Sequence, residues 1–237
     1  MTESQHIQLA ISQTFPCSYL TSHQSTLLLC TEPREDLPLE SLLMLGFRRS
    51  GDQVYRPHCH KCQACQAVRI PVTDFTPSRS QRRIINKNKD IKWIISEEDK
   101  PIYRTLYHRY IQARHPDGPM FPPSDHQFEQ FLLSRHWPIL FLEGWLSDKL
   151  VAVAVTDLLP HSLSATYTFF APEFPQRSLG KQAIIAQIEL AKHSQRQFLY
   201  LGYYIAKCHK MAYKKQFHPL EIYRHSQWQR VDGNTFT

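Results

Sequence analysis

The pattern of hydrophobic and polar positions changes character near residue 80. Before it, apolar runs are short. Residues 25–31 (STLLLCT), 54–55 and 67–72 predict strands, and residues 38–45 predict a short helix that Gly46 ends. After it, helical and strand periods alternate. Residues 91–95 (IKWII) predict a strand. Ser96 is the candidate N-cap of a helix whose first turn holds Glu97, Glu98 and Pro101. Along that helix Ile102, Leu106 and Tyr110 recur every four residues, beside Tyr103, Tyr107 and Ile111, until HPDGP at 115–119 breaks it. Ser124 suits the cap of a second helix, with Phe128, Phe131 and Leu132 facing inward, and Pro138 stops it. Residues 139–146 and 149–158 predict a hairpin turning at Ser147-Asp148. There follow a strand at 163–170, a helix at 178–193, a short buried strand at 198–201, a helix at 205–217 and a last strand at 220–225.

The order from residue 91 is β-α-α-β-β-β-α-β-α-β, the element order of the GNAT acetyltransferase fold. The expected class is therefore α/β (α+β). A small cysteine-containing domain (1–80) precedes a GNAT-like acyltransferase domain (81–237) with a mixed central sheet. In that fold a splayed strand pair exposes backbone to the acyl donor. The helix after the third hairpin strand aims its N terminus at donor phosphates. Here that turn is QRSLGK, with Gly180 its one glycine and Lys181 beside it. Element order alone is fold-level analogy.

Hydrophobic residues make up 42% of the 237 positions and charged residues 21%, which argues against disorder over most of the length. Lys and Arg number 28 against 21 Asp and Glu, a formal charge of +7 that favours a polyanionic partner. The N terminus has neither the basic nor the apolar region of a signal peptide, and no apolar run is long enough to span a bilayer. The expected location is the cytoplasm, with no membrane partner. There the six cysteines are thiols or metal ligands.

Three clusters carry candidate chemistry. The first is HCHKCQAC at 58–65. Its C-x2-C-x2-C spacing can wrap one soft metal ion if Cys17, Cys30, His58 or His60 supplies a fourth ligand; the alternative is thiols packed in a core. The second is the basic run at 78–92, where Arg79, Arg82, Arg83, Lys87, Lys89 and Lys92 face a single acid, Asp90. Such a run either tracks a phosphate backbone or forms a solvated surface. The third is LYLGYYIAKCHKMAYKKQFHP at 199–219. On a helix it would place Lys207, Lys210 and Lys214 on one face, which suits an acidic tail or an RNA 3′ end.

These stretches together resemble the arginyl-tRNA–protein transferase family in its short bacterial form, the aspartate/glutamate leucyltransferases. The resemblance runs through GFRRSGDQVYRPHCHKCQACQAVRIPV, FTPSRSQRR, Tyr110, RHPDGPM and SLGKQAI to the segment at 199–219. It implies a small N-terminal domain and a GNAT-like domain. It further implies transfer of leucine from leucyl-tRNA to an N-terminal Asp or Glu, which creates an N-end rule degradation signal. Relatives with a metal or iron–sulfur cluster carry a second cysteine three positions after the first. Here that position is Leu20, so Cys17, Cys62 and Cys65 remain as the ligand candidates.

An aminoacyl ester is already activated, so the reaction requires no cofactor. It needs a neutral amine near the carbonyl, donors for the oxyanion, and a proton for the leaving ribose oxygen. The candidates for catalysis are Tyr167, Tyr203 and Tyr204. Those for the acidic acceptor side chain are Arg69, Lys207 and Lys210. Those for tRNA are Arg79, Arg82, Arg83, Gly180 and Lys181. Three other readings remain open: an arginyl-tRNA donor, a non-catalytic metal-dependent RNA-binding protein, and an acetyl-CoA-dependent acetyltransferase.

Overall fold

The computed structural model describes residues 7–31 and 37–231. Near the N terminus lie β1 (Leu9–Ile11), β2 (Phe15–Pro16), β3 (Gln24–Ser25), β4 (Leu27–Cys30), α1 (Leu39–Met44), β5 (Arg48–Ser50) and β6 (Gln53–Pro57). Strands β1, β4, β6 and β5 form a small sheet in that order, and β2 pairs with β3. Leu39, Leu42 and Leu43 of α1 pack with Val54 of β6 and with Trp137 and Tyr200 from the rest of the chain.

The remaining elements are β7 (Gln66–Pro71), α2 (Arg79–Lys87), β8 (Ile91–Ser96), α3 (Ile102–Arg114), α4 (Asp125–Leu132), β9 (Ile139–Leu146), β10 (Lys149–Leu158), β11 (Ser162–Phe170), α5 (Leu179–His193), β12 (Phe198–Tyr204), α6 (His209–Ala212), β13 (Leu220–Arg224) and β14 (Gln227–Val231). They build an eight-stranded sheet ordered β14-β13-β7-β12-β11-β10-β9-β8. The expected α/β class with a mixed sheet and the GNAT element order are both present. The division expected near residue 80 is not a boundary between sheets, because β7 lies inside the large sheet between β12 and β13.

β10 is buried along nearly its whole length, as expected of a strand covered on both faces. On one face Val151, Val153 and Val155 meet Tyr103, Leu106 and Tyr107 of α3 and Phe128 of α4. On the other, Ala154 meets Ala183 of α5. A buried polar chain crosses the same strand: Arg49 Nε donates to Asp157 Oδ1 at 2.6 Å, and Thr166 Oγ1 donates to Asp157 Oδ2 at 2.8 Å. It ties the small sheet to β10 and β11.

Several local expectations need correction. Ser96 ends β8 and does not cap α3, whose N-cap position is Pro101. Ser124 does cap α4, accepting from the Gln127 amide, but Phe131 is exposed. The basic run holds a helix, α2, started by a Ser78–Gln81 capping box. The long helix expected at 205–217 is only α6 followed by a 3-10 turn over Tyr213–Gln216. The pattern predicts no strand at β14, whose polar, partly exposed residues carry little strand signal.

Candidate active site at the split in the sheet

β11 and β12 are the parallel neighbours in the large sheet, and their pairing stops early. Ser162, Leu163 and Ser164 pair with Phe198, Leu199 and Tyr200, and nothing further is paired between them. Residues 165–170 stay on β10, while 202–204 stay on β7. The sheet therefore opens into a wedge whose edges are backbone groups, which demand partners.

A cation occupies each edge. Arg48, from the small sheet, donates from Nη2 to the Thr166 carbonyl on β11 at 2.7 Å. Lys214, from the turn after α6, donates from Nζ to the Tyr203 carbonyl on β12 at 2.5 Å. Gly202 makes room for the arginine. Its φ is +71°, and a Cβ there would lie 2.8 Å from Arg48 Nη1. A small cavity bounded by Arg48, Ser164, Ala165 and Gly202 lies in the same opening.

Phenols surround the arginine. Burial opposes its charge, but Tyr55, Tyr19, Tyr203 and Asp157 more than offset that, and its pKa rises. Burial pushes the Tyr203 phenol well up and raises those of Tyr19 and Tyr213, so all three stay neutral at physiological pH. Lys214 moves the other way. Burial and then the charge of Arg48 lower its pKa to about 7, against a smaller upward pull from the thiols of Cys208 and Cys65. A cleft of about 1010 Å³ runs from this cluster, where Tyr19, Tyr55, Cys65 and Tyr203 line it, toward Asp52, Glu129, Arg135 and His136.

The structure places the expected residues unevenly. Tyr203 is in the cluster, but its hydroxyl lies 3.1 Å from the Gly46 carbonyl and 3.2 Å from that of Tyr55. Tyr167 has its hydroxyl 3.4 Å from Met120 Sδ, and its ring packs against Tyr107 and Tyr110. Tyr204 does not join them. Strand alternation turns it to the opposite face, into a core with Phe217 and Ile222. Arg69 donates to Glu221 at 2.7 Å and stacks on Phe198 at 3.6 Å, so its charge is already engaged. Lys207 and Lys210 are exposed. After burial, Lys210 is the largest influence lowering the His115 pKa, which places its charge near that ring.

The basic residues and the donor turn are neighbours. Arg79, Arg82 and Arg83 are exposed on α2. The far end of that helix is pinned to the turn before α5: Lys87 Nζ donates to Gln176 O at 3.1 Å, and Asn88 Nδ2 to Arg177 O at 2.8 Å. Ser178 adopts φ 53° and makes no side-chain cap at the N terminus of α5. Gly180 lies against Phe170, where a Cβ would approach the ring to 3.0 Å, and Lys181 follows it into the helix, half-buried.

Cys17, Cys59, Cys62 and Cys208 are near enough to Cys65 to raise its thiol pKa, which burial and then their charges push up to about 12. Tyr19 N donates to Cys17 Sγ at 3.5 Å, and Cys59 Sγ lies 3.7 Å from Ser25 Oγ. Among the described residues, no three His, Cys, Asp or Glu side chains are arranged to hold a metal ion. No chemistry is assigned to a metal here.

Sequence reasoning passes over Arg48 and treats Lys214 as part of an exposed face. The local hint for Arg48 is the pair Arg48-Arg49 in a three-residue strand next to Phe47.

The family models for the N terminus and the C terminus of arginine-tRNA-protein transferase match residues 15–83 and 103–224. An aspartate/glutamate leucyltransferase of Pseudoalteromonas atlantica is 49% identical over 95% of this chain and 98% of its own. Another, from Aeromonas hydrophila subsp. hydrophila, is 47% identical over 98% of this chain and 99% of its own. The solved structure of FemX superposes with a TM-score of 0.44 and 8% identity, over 83% of this chain and 79% of that one.

Proposed function

We infer the reaction from one premise: the chain belongs to the arginine-tRNA-protein transferase family and is an aminoacyltransferase, acting on an aminoacyl-tRNA and a protein acceptor. It transfers leucine from leucyl-tRNA to an N-terminal Asp or Glu and so makes an N-end rule degradation signal. Relatives matched over nearly their whole length carry the name that describes this reaction. The observation that carries the chemistry is the wedge between β11 and β12 with Arg48 inside it.

The physical requirements map onto that wedge. A guanidinium has five N–H donors in a fixed fork, and Thr166 takes one of them. The others can meet negative charge developing on the ester carbonyl oxygen. In a desolvated site a donor aimed at such charge is worth far more than in water. The carboxylate that acts on the Arg48 charge is Asp157, itself already engaged by Arg49 and Thr166. The acceptor's acidic side chain meets Lys207 or Lys210, both of them exposed. The basic face of α2 and the uncapped start of α5, with Gly180 and Lys181, receive the tRNA phosphates.

Mass spectrometry of an Asp-starting peptide, incubated with mixed aminoacyl-tRNAs, tests this reading. A gain of one leucyl residue supports it. Gain of an arginyl residue moves the donor to arginyl-tRNA. No gain with any charged tRNA leaves an RNA-binding protein, and an acetyl gain from acetyl-CoA alone points to an acetyltransferase.

A further inference from the structure

Lys214 is 4% exposed, yet among the described residues it makes no ion pair with a carboxylate. Its ammonium nitrogen reaches two neighbours, the Tyr203 carbonyl at 2.5 Å and Met211 Sδ at 3.6 Å. The groups that face it electrostatically are Arg48 from β5, Cys208 before α6 and Cys65 before β7. A buried lysine beside a second cation and without a counter-ion is costly, and a fold that only needed to fill the space would place Leu or Met there. The side chain instead lies on the edge of the wedge opposite the one Arg48 holds.

We propose that Lys214 is the proton acceptor of the transfer step. This rests on the aminoacyl-transfer reading given above. The acceptor's α-nitrogen attacks the ester carbonyl carbon, forming the N–C bond and moving the carbonyl electron pair onto oxygen. The surplus proton on that nitrogen passes to the free amine of Lys214. The tetrahedral centre then collapses, the bond from carbon to the ribose oxygen breaks, and Lys214 returns the proton to that oxygen. Lys214 begins and ends neutral, and nothing is oxidised or reduced. The depressed pKa of about 7 keeps a large share of the amine unprotonated at neutral pH, and a catalytic group works best with its pKa near the operating pH.

Two substitutions separate proton transfer from support of the Tyr203 carbonyl. Lys214→Arg keeps a donor at that carbonyl but stays protonated at all accessible pH values. Lys214→Met keeps the volume and loses both functions. For leucine transfer to an Asp-starting peptide, both variants should lose about 10²–10⁴-fold in kcat, the usual span for general acid–base catalysis, with little change in KM. The bend near pH 7 in the wild-type kcat profile should vanish in both. Full activity of Lys214→Arg, or an unchanged bend in either variant, overturns the proposal. If the variants do not fold, lysine 13Cε NMR of the wild-type protein decides. A signal titrating near pH 7 supports the proposal, and only signals titrating near the ordinary lysine value of 10.5 overturn it. A wild-type protein that transfers no aminoacyl group at all refutes the underlying reading itself.

Discussion

Gly202→Ala is the sharpest perturbation of the wedge, because it acts on Arg48 from behind. The new Cβ would stand 2.8 Å from Arg48 Nη1, and the backbone there holds φ +71°. The two effects fall on different observables. The guanidinium ends a flexible side chain and can swing away at little steric cost, but it then leaves the Thr166 carbonyl. The φ cannot relax without moving β12, and a non-glycine residue in this region costs about 1–3 kcal/mol. Stability measured by urea unfolding should therefore fall by about 1–3 kcal/mol. Turnover should fall further, by about 10²–10³-fold, as when one donor to a developing oxyanion is removed. The double variant Gly202→Ala/Arg48→Ala tests the route. If Gly202 acts through Arg48, the double variant should be no slower than Arg48→Ala alone. Wild-type turnover in Gly202→Ala, or additive losses in the double variant, would refute the placement of Arg48 at the reacting carbonyl.

Two further outcomes follow from the charges. Replacing Arg79, Arg82 and Arg83 together with Ala should weaken aminoacyl-tRNA binding and flatten its salt dependence. The slope should fall by about 0.7–0.9 log units per log unit of salt for each phosphate left without its arginine, read by filter binding over a salt series. An unchanged slope would remove α2 from the tRNA surface. Lys214 should also mark the pH dependence of stability. Its folded pKa, about 7, lies below its unfolded value of 10.5, so between these the unfolded chain holds more protons. Wild-type stability from this group should thus rise with pH across that window, by up to about 1.4 kcal/mol per pH unit, and the penalty should be complete below it. Lys214→Met should lack the rise; a parallel pH dependence in both proteins would contradict the burial of a titrating amine.

Most of the large sheet is legible in the sequence because its elements carry strong local periods. Residues 139–158 form a hairpin at Ser147-Asp148, and α3 buries Tyr103, Leu106, Tyr107, Tyr110 and Ile111 of the face its spacing marks, while Ile102 at its first turn is exposed. The small polar signals are weaker guides. The Ser78–Gln81 box that starts α2 is present in the sequence but hidden by the surrounding arginines. The candidate site is largely illegible for a different reason. Arg48 meets Thr166 across 118 positions, and Lys214 meets a carbonyl on a strand that bends away from its neighbour. No period or spacing reports a side chain from one sheet filling a split in another. A helix drawn through 205–217 also puts Lys214 on a solvent face with Lys207 and Lys210, whereas the chain tightens into a 3-10 turn at Tyr213 and swings Lys214 inward. Tyr203 and Tyr204 show the opposite case: two-residue alternation is enough to separate them, once residues 202–204 continue the strand.

The most direct measurement is a structure with an amide-linked leucyl-adenosine, a stable stand-in for the end of charged tRNA. Transfer at the split predicts its leucyl carbonyl oxygen between the unpaired edges of β11 and β12, within hydrogen-bond distance of Arg48 and on the side Lys214 borders. Binding with that carbonyl elsewhere, and Arg48 still closed on Thr166 without touching the ligand, would contradict it.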